Sequence, residues 1–181
     1  MNPSKRAAAF GVLAAALAAQ TVWAHGPSRQ KATETIDVNA PADKVWAIIG
    51  NFQDMSWLPV VEKTTGTDGN TPEKAKRTLT LKGGPTVDEE LTKYDATGKT
   101  YSYRIDKVDV KVLPVNNYSS TISVTPVDAS HSKVEWRAAF YRGDPLNDPP
   151  PALNDEAAMK AVTGLYKTGL AAIKAKAEKA N

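Results

Sequence analysis

Apolar residues change their spacing several times along this chain, and each change marks a boundary between elements. Thr35-Ile36-Asp37-Val38 alternates polar and apolar, the period of a half-buried strand. From Pro41 the period lengthens. Val45, Ile48, Ile49 and Phe52 fall on one side of a helix, with Pro41 suited to its first turn and Asp43 near the positive end of its dipole. A second short helix around Met55-Ser56-Trp57-Leu58 ends at Pro59. Alternation then returns: 60–67 predicts a second strand closed by the Asp68-Gly69 turn, and 74–82 a third, on which Arg77, Leu79 and Leu81 share a side. Gly83-Gly84-Pro85 turns the chain back into a fourth strand with Val87, Glu89 and Leu91 on the corresponding face, ended by the turn at Asp95-Ala96-Thr97-Gly98.

Tyr101, Tyr103 and Ile105 open a fifth strand, but the apolar positions beyond it are Val108, Val110 and Val112, one step out of phase. A bulge or short irregular connection near Asp106-Lys107 reconciles the two sets, because one unbroken strand cannot keep both on a single face. After Pro114, Tyr118, Ile122 and Val124 alternate with polar neighbours, and Ser119, Ser120 and Ser123 are expected to face solvent. Val134, Trp136, Ala138 and Phe140 then alternate with Glu135, Arg137, Ala139 and Tyr141 in a final strand. Pro145 and Pro149-Pro150-Pro151 lack backbone donors and keep 144–151 out of the sheet. Beyond a cap at Asn154 or Asp155, Met159, Val162, Tyr166, Leu170 and Ile173 recur every three or four residues, widened by Ala158, Leu165 and Ala172. The order predicts an α+β fold: an antiparallel sheet of about seven strands with one apolar face, covered by a long C-terminal helix and by two short helices after strand one.

The N-terminus adds a separate segment. Lys5 and Arg6 precede an Ala/Leu-rich run from Ala7 to Val22, and Val22-Trp23-Ala24 leads into His25. This is the layout of a secretory signal peptide cut after Ala24, and the run is shorter than the roughly 20 residues a retained spanning helix needs. The expected organisation is a leader at 1–24, a polar lead at 25–33 and a single domain at 34–181. Lys and Arg number 23 against 20 Asp and Glu, but two of the basic residues lie in the leader, so the processed chain is close to neutral and its charge implies no nucleic acid. The chain has no cysteine, which excludes thiol catalysis, cysteine–zinc sites and c-type haem attachment. Export without cysteine points to a bacterial periplasm, with no stable membrane insertion after processing.

Two histidines make a metal enzyme an unfavoured reading. His131 sits in the Ser130-His131-Ser132 turn without a ligand cluster, and both histidines read as exposed. As a new N-terminus, His25 would offer an imidazole beside an amine, a pair able to chelate copper. No metal site and no cofactor are expected, and no serine has a base and an orienting group around it.

The opening Ala40–Phe52 segment with Met55-Ser56-Trp57-Leu58-Pro59, the Asp88-Glu89-Glu90-Leu91 strand with the Asp95 turn, the Leu113-Pro114-Val115-Asn116-Asn117-Tyr118 approach and the terminal helix resemble the START-like superfamily, which includes plant Bet v 1 allergens and polyketide cyclases. The resemblance spans about 34–178. It implies a helix-grip fold, in which the sheet curls around the terminal helix and leaves a hydrophobic pocket. The exported arrangement and the His25-Gly26-Pro27 start are similar to MxaD-type accessory proteins of bacterial methanol oxidation. That likeness implies assistance to a periplasmic methanol dehydrogenase or its cytochrome acceptor, with Tyr141, Arg142 and the 144–151 loop as candidate partner surface.

On such a fold the inward face would supply the pocket wall: Leu79, Leu81, Leu91, Tyr101, Tyr103, Ile122, Trp136 and Phe140, with Tyr166 and Leu170 from the helix. Apolar burial would hold a small organic molecule and tyrosine hydroxyls would orient it; the alternative is a filled core. Arg77 and Glu89 fall on the same apolar side. They form a buried ion pair, contact a ligand with Arg77 on a carboxylate and Glu89 as a base, or lie exposed at the sheet end. Gly164 and Gly169 let the helix approach the sheet or leave room beside Tyr166. Three functions fit: a small hydrophobic-ligand binder or accessory protein, a cyclase- or aromatase-like enzyme, and a carrier of lipid or another hydrophobic molecule.

Overall fold

The alternating segments become strands in the computed structural model, which describes residues 26–179. The strands are β1 (Gln30–Val38), β2 (Val61–Thr67), β3 (Lys76–Leu81), β4 (Thr86–Asp95), β5 (Thr100–Val108), β6 (Val115–Pro126) and β7 (Ser132–Arg142). Helix α1 (Ala42–Ile49) follows β1, and α2 (Asp155–Ala177) ends the described chain. The strands form one antiparallel sheet in the order β1-β7-β6-β5-β4-β3-β2. This is the helix-grip arrangement, with a curved seven-stranded sheet and a long C-terminal helix.

Strand β1 begins at Gln30, inside the stretch expected to be a polar lead, and its first residues pair with β7 from Gln30 opposite Phe140. Its outward side chains, Lys31, Thr33, Thr35 and Asp37, are polar because that face of the sheet meets solvent. Ala32 and Val38, on the inner face, are buried.

One short helix follows β1, not two. In α1, Pro41 stands at the N-cap and its carbonyl accepts from Val45 N, while Ala42, Val45 and Ile49 are buried. The segment from Asn51 to Val60 is instead a run of separate turns, closed by Asp54 N to Asn51 O, Leu58 N to Met55 O and Val61 N to Leu58 O. Asp54 Oδ1 captures the Ser56 amide at 2.8 Å, which competes with continuous helical bonding. The turns still bury Phe52, Met55, Trp57 and Leu58.

The phase change in β5 is a bulge. Asp88 pairs with Lys107 and Glu89 with Ile105, so Asp106 is the unpaired extra residue. Strand pairing stops at Val108, and Val110 and Val112 do not prolong it. Asp109 turns the chain by accepting from the Val112 and Leu113 amides through its carbonyl and from the Lys111 amide through its side chain. At the β3–β4 turn Gly83 and Gly84 take φ of 88° and 98°, a region that side chains with a Cβ rarely enter.

Helix α2 is capped by Asn154, whose side chain accepts from Ala157 N at 2.8 Å. It rests on β1, β7 and α1 and stands off β3, β4 and β5. The loop before it is held from within: buried Arg142 donates to Asp144 O at 2.8 Å and Leu146 O at 2.6 Å, and pairs with Asp155 at 3.0 Å. Arg142 is therefore a loop clamp, not the partner surface expected from sequence.

Candidate functional site

Where α2 stands away from the sheet, a cavity of about 660 Å³ opens. Its floor is Leu79 and Leu81 of β3, Val87 and Glu89 of β4, Ile105 of β5 and Tyr118 of β6. The 51–60 turns contribute Met55, Leu58 and Val60, and the turn after β5 contributes Val112 and Leu113. The roof is one face of the first half of α2: Ala157, Lys160, Ala161, Gly164, Leu165 and Thr168. Lys160, Gly164 and Thr168 are exposed and mark its mouth. A side-chain atom built at Gly164 would meet nothing within 4 Å, so this glycine leaves room.

Gly169, five residues on, does the opposite. A Cβ there would lie 2.7 Å from Trp136 Cζ3 and 2.9 Å from Leu58 Cδ1. Trp136 stacks on Tyr166 with ring centroids 4.2 Å apart, and Trp57 meets Trp136 edge-on at 5.5 Å. The space under the second half of the helix is filled.

Of the expected pocket wall, Leu79, Leu81 and Glu89 line the cavity. Leu91, Tyr101, Tyr103, Ile122, Trp136, Phe140, Tyr166 and Leu170 are buried but pack into the core beside it. Arg77 is buried too and does not line the cavity. Among the lining residues that sequence reasoning did not assign to the wall, Val87, Ile105, Tyr118 and Leu165 carried an apolar-face signal. Ala157, Ala161 and Gly164 carried a different one, small side chains at helical spacing along α2.

Arg77 and Glu89 are direct partners across β3 and β4, with Arg77 Nε 2.6 Å from Glu89 Oε2. Arg77 Nη1 donates to Phe52 O at 2.7 Å, and the guanidinium lies 4.0 Å from the Phe52 ring centroid and 5.1 Å from that of Tyr103. The pair is structural on the Arg77 side: carboxylate, carbonyl and two ring faces offset the burial of the guanidinium, although its Nη2 is sealed without a hydrogen-bond partner. Burial, the larger influence, holds the Glu89 carboxyl above the usual carboxylate range against the opposing pull of the Arg77 charge and hydrogen bond.

A second polar group runs under the packed half. Ser120, expected at the surface, is buried, because it shares the parity of Tyr118 and Ile122. Its hydroxyl donates to Arg137 O at 2.9 Å, receives Trp136 Nε1 at 3.0 Å and lies 2.7 Å from the Tyr166 hydroxyl. Tyr166 also bonds the hydroxyl of Tyr118. Burial, before any other cause, raises Tyr103, Tyr118 and Tyr166 well above the ordinary phenol range, so all three keep their protons.

His131 is half-exposed and bonds Asp128 at 2.8 Å, and His25 lies outside the described residues. Among the described residues no cluster of three metal-ligating side chains occurs, and no helix is long and apolar enough to cross a membrane.

Comparison with known proteins adds the family. The profile described as polyketide cyclase / dehydrase and lipid transport matches residues 29–178. A structure of an uncharacterised protein from Bacillus thuringiensis is 30% identical with a TM-score of 0.68, covering 81% of this chain and 97% of that one. The ZhuI aromatase/cyclase from Streptomyces sp. R1128 is similar in fold, at 18% identity and a TM-score of 0.66, covering 83% and 94% of the two chains. Norcoclaurine synthase from Thalictrum flavum, solved with dopamine and hydroxybenzaldehyde, shares the fold at 15% identity and a TM-score of 0.60, covering 86% and 91%. No curated protein matches the chain.

Proposed function

The chain belongs to the polyketide cyclase/dehydrase and lipid-transport family, and from that premise we propose that it binds a small, largely apolar molecule under the first half of α2. The observation that carries this reading is the open cavity of about 660 Å³, a volume within the range of ligand sites, walled by aliphatic side chains and one carboxylate. Larger residues at Ala157, Ala161 or Gly164 would have narrowed this space. The chain has small ones there.

Binding is preferred over catalysis because the polar groups that could act with Glu89 are otherwise placed: Arg77 is committed to Phe52 O and Glu89, the Tyr118 hydroxyl is bonded to Tyr166, and Lys160 is exposed at the mouth. The test uses the neutral dye Nile red. Saturable fluorescence enhancement in the wild type, reduced at least about tenfold in affinity by Ala161→Trp, is the expected result. Dye binding unchanged by that substitution would overturn the assignment.

Export to a periplasm belongs to the same proposal, supported by the layout of residues 5–24. The mass of the protein recovered from its native host tests it, with loss of residues 1–24 expected. Assistance to a methanol dehydrogenase and its cytochrome acceptor is supported by the N-terminal resemblance. Copurification of a dehydrogenase with the processed protein is its measurement.

A further inference from the structure

The polar atoms that reach this cavity are open to a count of protons, and the count gives them one character. Glu89 lines the cavity, and its Oε2 is taken by Arg77 Nε. Among the described residues nothing donates to Oε1. The side-chain atoms that are both sealed and unpartnered are Gln53 Oε1, Trp57 Nε1, Arg77 Nη2 and Asp155 Oδ1. Glu89 Oε1 is not one of them, so it is open to the space its side chain lines. An ionised carboxylate oxygen accepts hydrogen bonds and donates none.

Tyr118 is the other polar group on the floor, and its hydroxyl carries one proton. Ser120 spends its single proton on Arg137 O, so its oxygen must accept from Tyr166 as well as from Trp136 Nε1. Tyr166, having given its proton to Ser120, accepts from Tyr118. The proton of Tyr118 is therefore directed into the core, and Tyr118 offers the cavity no donor. Lys160, the cation among the lining residues, is exposed at the mouth and far in character from this floor.

We infer that the floor of the cavity is an acceptor surface, which selects an apolar ligand carrying a neutral hydroxyl at its buried end and excludes one that buries a carboxylate there. This rests on the reading of the cavity as a binding site. A ligand hydroxyl donates to Glu89 Oε1 in surroundings that exclude water, a charge-assisted bond. A ligand carboxylate would bring a second negative charge against Glu89, with Arg77 Nε and Nη1 already engaged and Nη2, though unpartnered, sealed away from the cavity. A ligand carboxylate held by Arg77, one option the sequence left open, is thereby ruled against in favour of an alcohol or phenol.

The test displaces Nile red with naphthol, methylnaphthalene and naphthoate, each substituted at the same ring position. Naphthol is expected to bind about tenfold or more tighter than methylnaphthalene, the difference of one hydrogen bond to a charged acceptor. Naphthoate is expected to bind more weakly than both. The series is repeated on Lys160→Gln, so that a carboxylate held at the mouth is not counted as one held on the floor. Glu89→Gln should reduce the preference for naphthol to the few-fold effect of a neutral bond. Because Gln leaves Arg77 without a charged partner, the double variant Arg77→Met with Glu89→Leu provides a second arm with no buried charge, in which the rejection of naphthoate should be relieved. Equal binding of naphthol and methylnaphthalene to the wild type, or naphthoate binding Lys160→Gln as tightly as naphthol, overturns the acceptor floor while leaving the binding site standing. Absence of dye binding removes both.

Discussion

The two halves of α2 cover the same sheet in opposite ways. From Gly169 onward the helix is pressed onto Trp136, Leu58 and Trp57, and before it the small residues Ala157, Ala161 and Gly164 leave unfilled the space between the helix and Leu79, Val87 and Ile105. Both regions use glycine, in one place to permit contact and in the other to prevent filling. The difference teaches that emptiness here is built by choice of side-chain volume on a single helix, against a sheet whose apolar face is continuous.

The Arg77–Glu89 pair stands on the border between these regions, and breaking it has the largest expected effect. Arg77→Leu leaves a buried carboxylate without its partner and should cost about 3–5 kcal/mol by urea unfolding, whereas the Arg77→Met, Glu89→Leu double variant should lie near wild type. A wild-type midpoint for Arg77→Leu would sink the buried pair. Tyr166→Phe strips the packed half of its central hydroxyl and leaves Tyr118 without an acceptor, for an expected loss of about 2 kcal/mol. Gly169→Ala sets a Cβ against the Trp136 ring and Leu58, two close contacts that put overpacking near the upper end of about 1–3 kcal/mol; helix propensity returns about 1, so a net loss of about 1–2 is expected. Gly164→Ala, in open space, should instead stabilise by about 0.5–1 kcal/mol. A shared sign for the two glycine substitutions would collapse the comparison.

The smallest effect lies outside both regions. Hydrogen bonds from the Ser130 backbone, then from His131, hold Asp128 down from 3.8 to about 2. A depressed carboxyl contributes stability above its unfolded pKa and loses it as pH falls through the folded one. Asp128→Asn should therefore flatten the acid limb of the stability curve between about pH 4 and pH 2, measured against the wild type at fixed salt.

Much of this was legible in the residues. The misfit between Ile105 and Val108 called for a bulge or a short irregular connection near Asp106-Lys107, and the structure has a bulge at Asp106. Gly83-Gly84-Pro85 set β3 against β4 in a register that makes Arg77 and Glu89 opposite. The second short helix misled because Trp57 and Leu58 are buried, as helix residues would be, while Asp54 ties the local backbone into turns. Ser120 was illegible for a different reason: its polarity predicted water, and the tertiary partners that replace water, Tyr166 and Trp136, come from distant parts of the chain. Alternation identifies what is buried, and the residues of the expected wall are buried except for half-buried Leu81. It does not tell a filled interior from a hollow one, because that depends on where the helix axis lies.

That axis has one consequence in mechanical terms. From the contact at Gly169 to the clamp at Asp155 the helix is a lever arm of about 21 Å, so that a rotation of about 3° moves its free end by about 1 Å. The end is moored by Arg142, through Asp155 and the carbonyls of Asp144 and Leu146. One guanidinium thus acts as a stay on the roof, and the height of the chamber beneath depends on that mooring as well as on the walls.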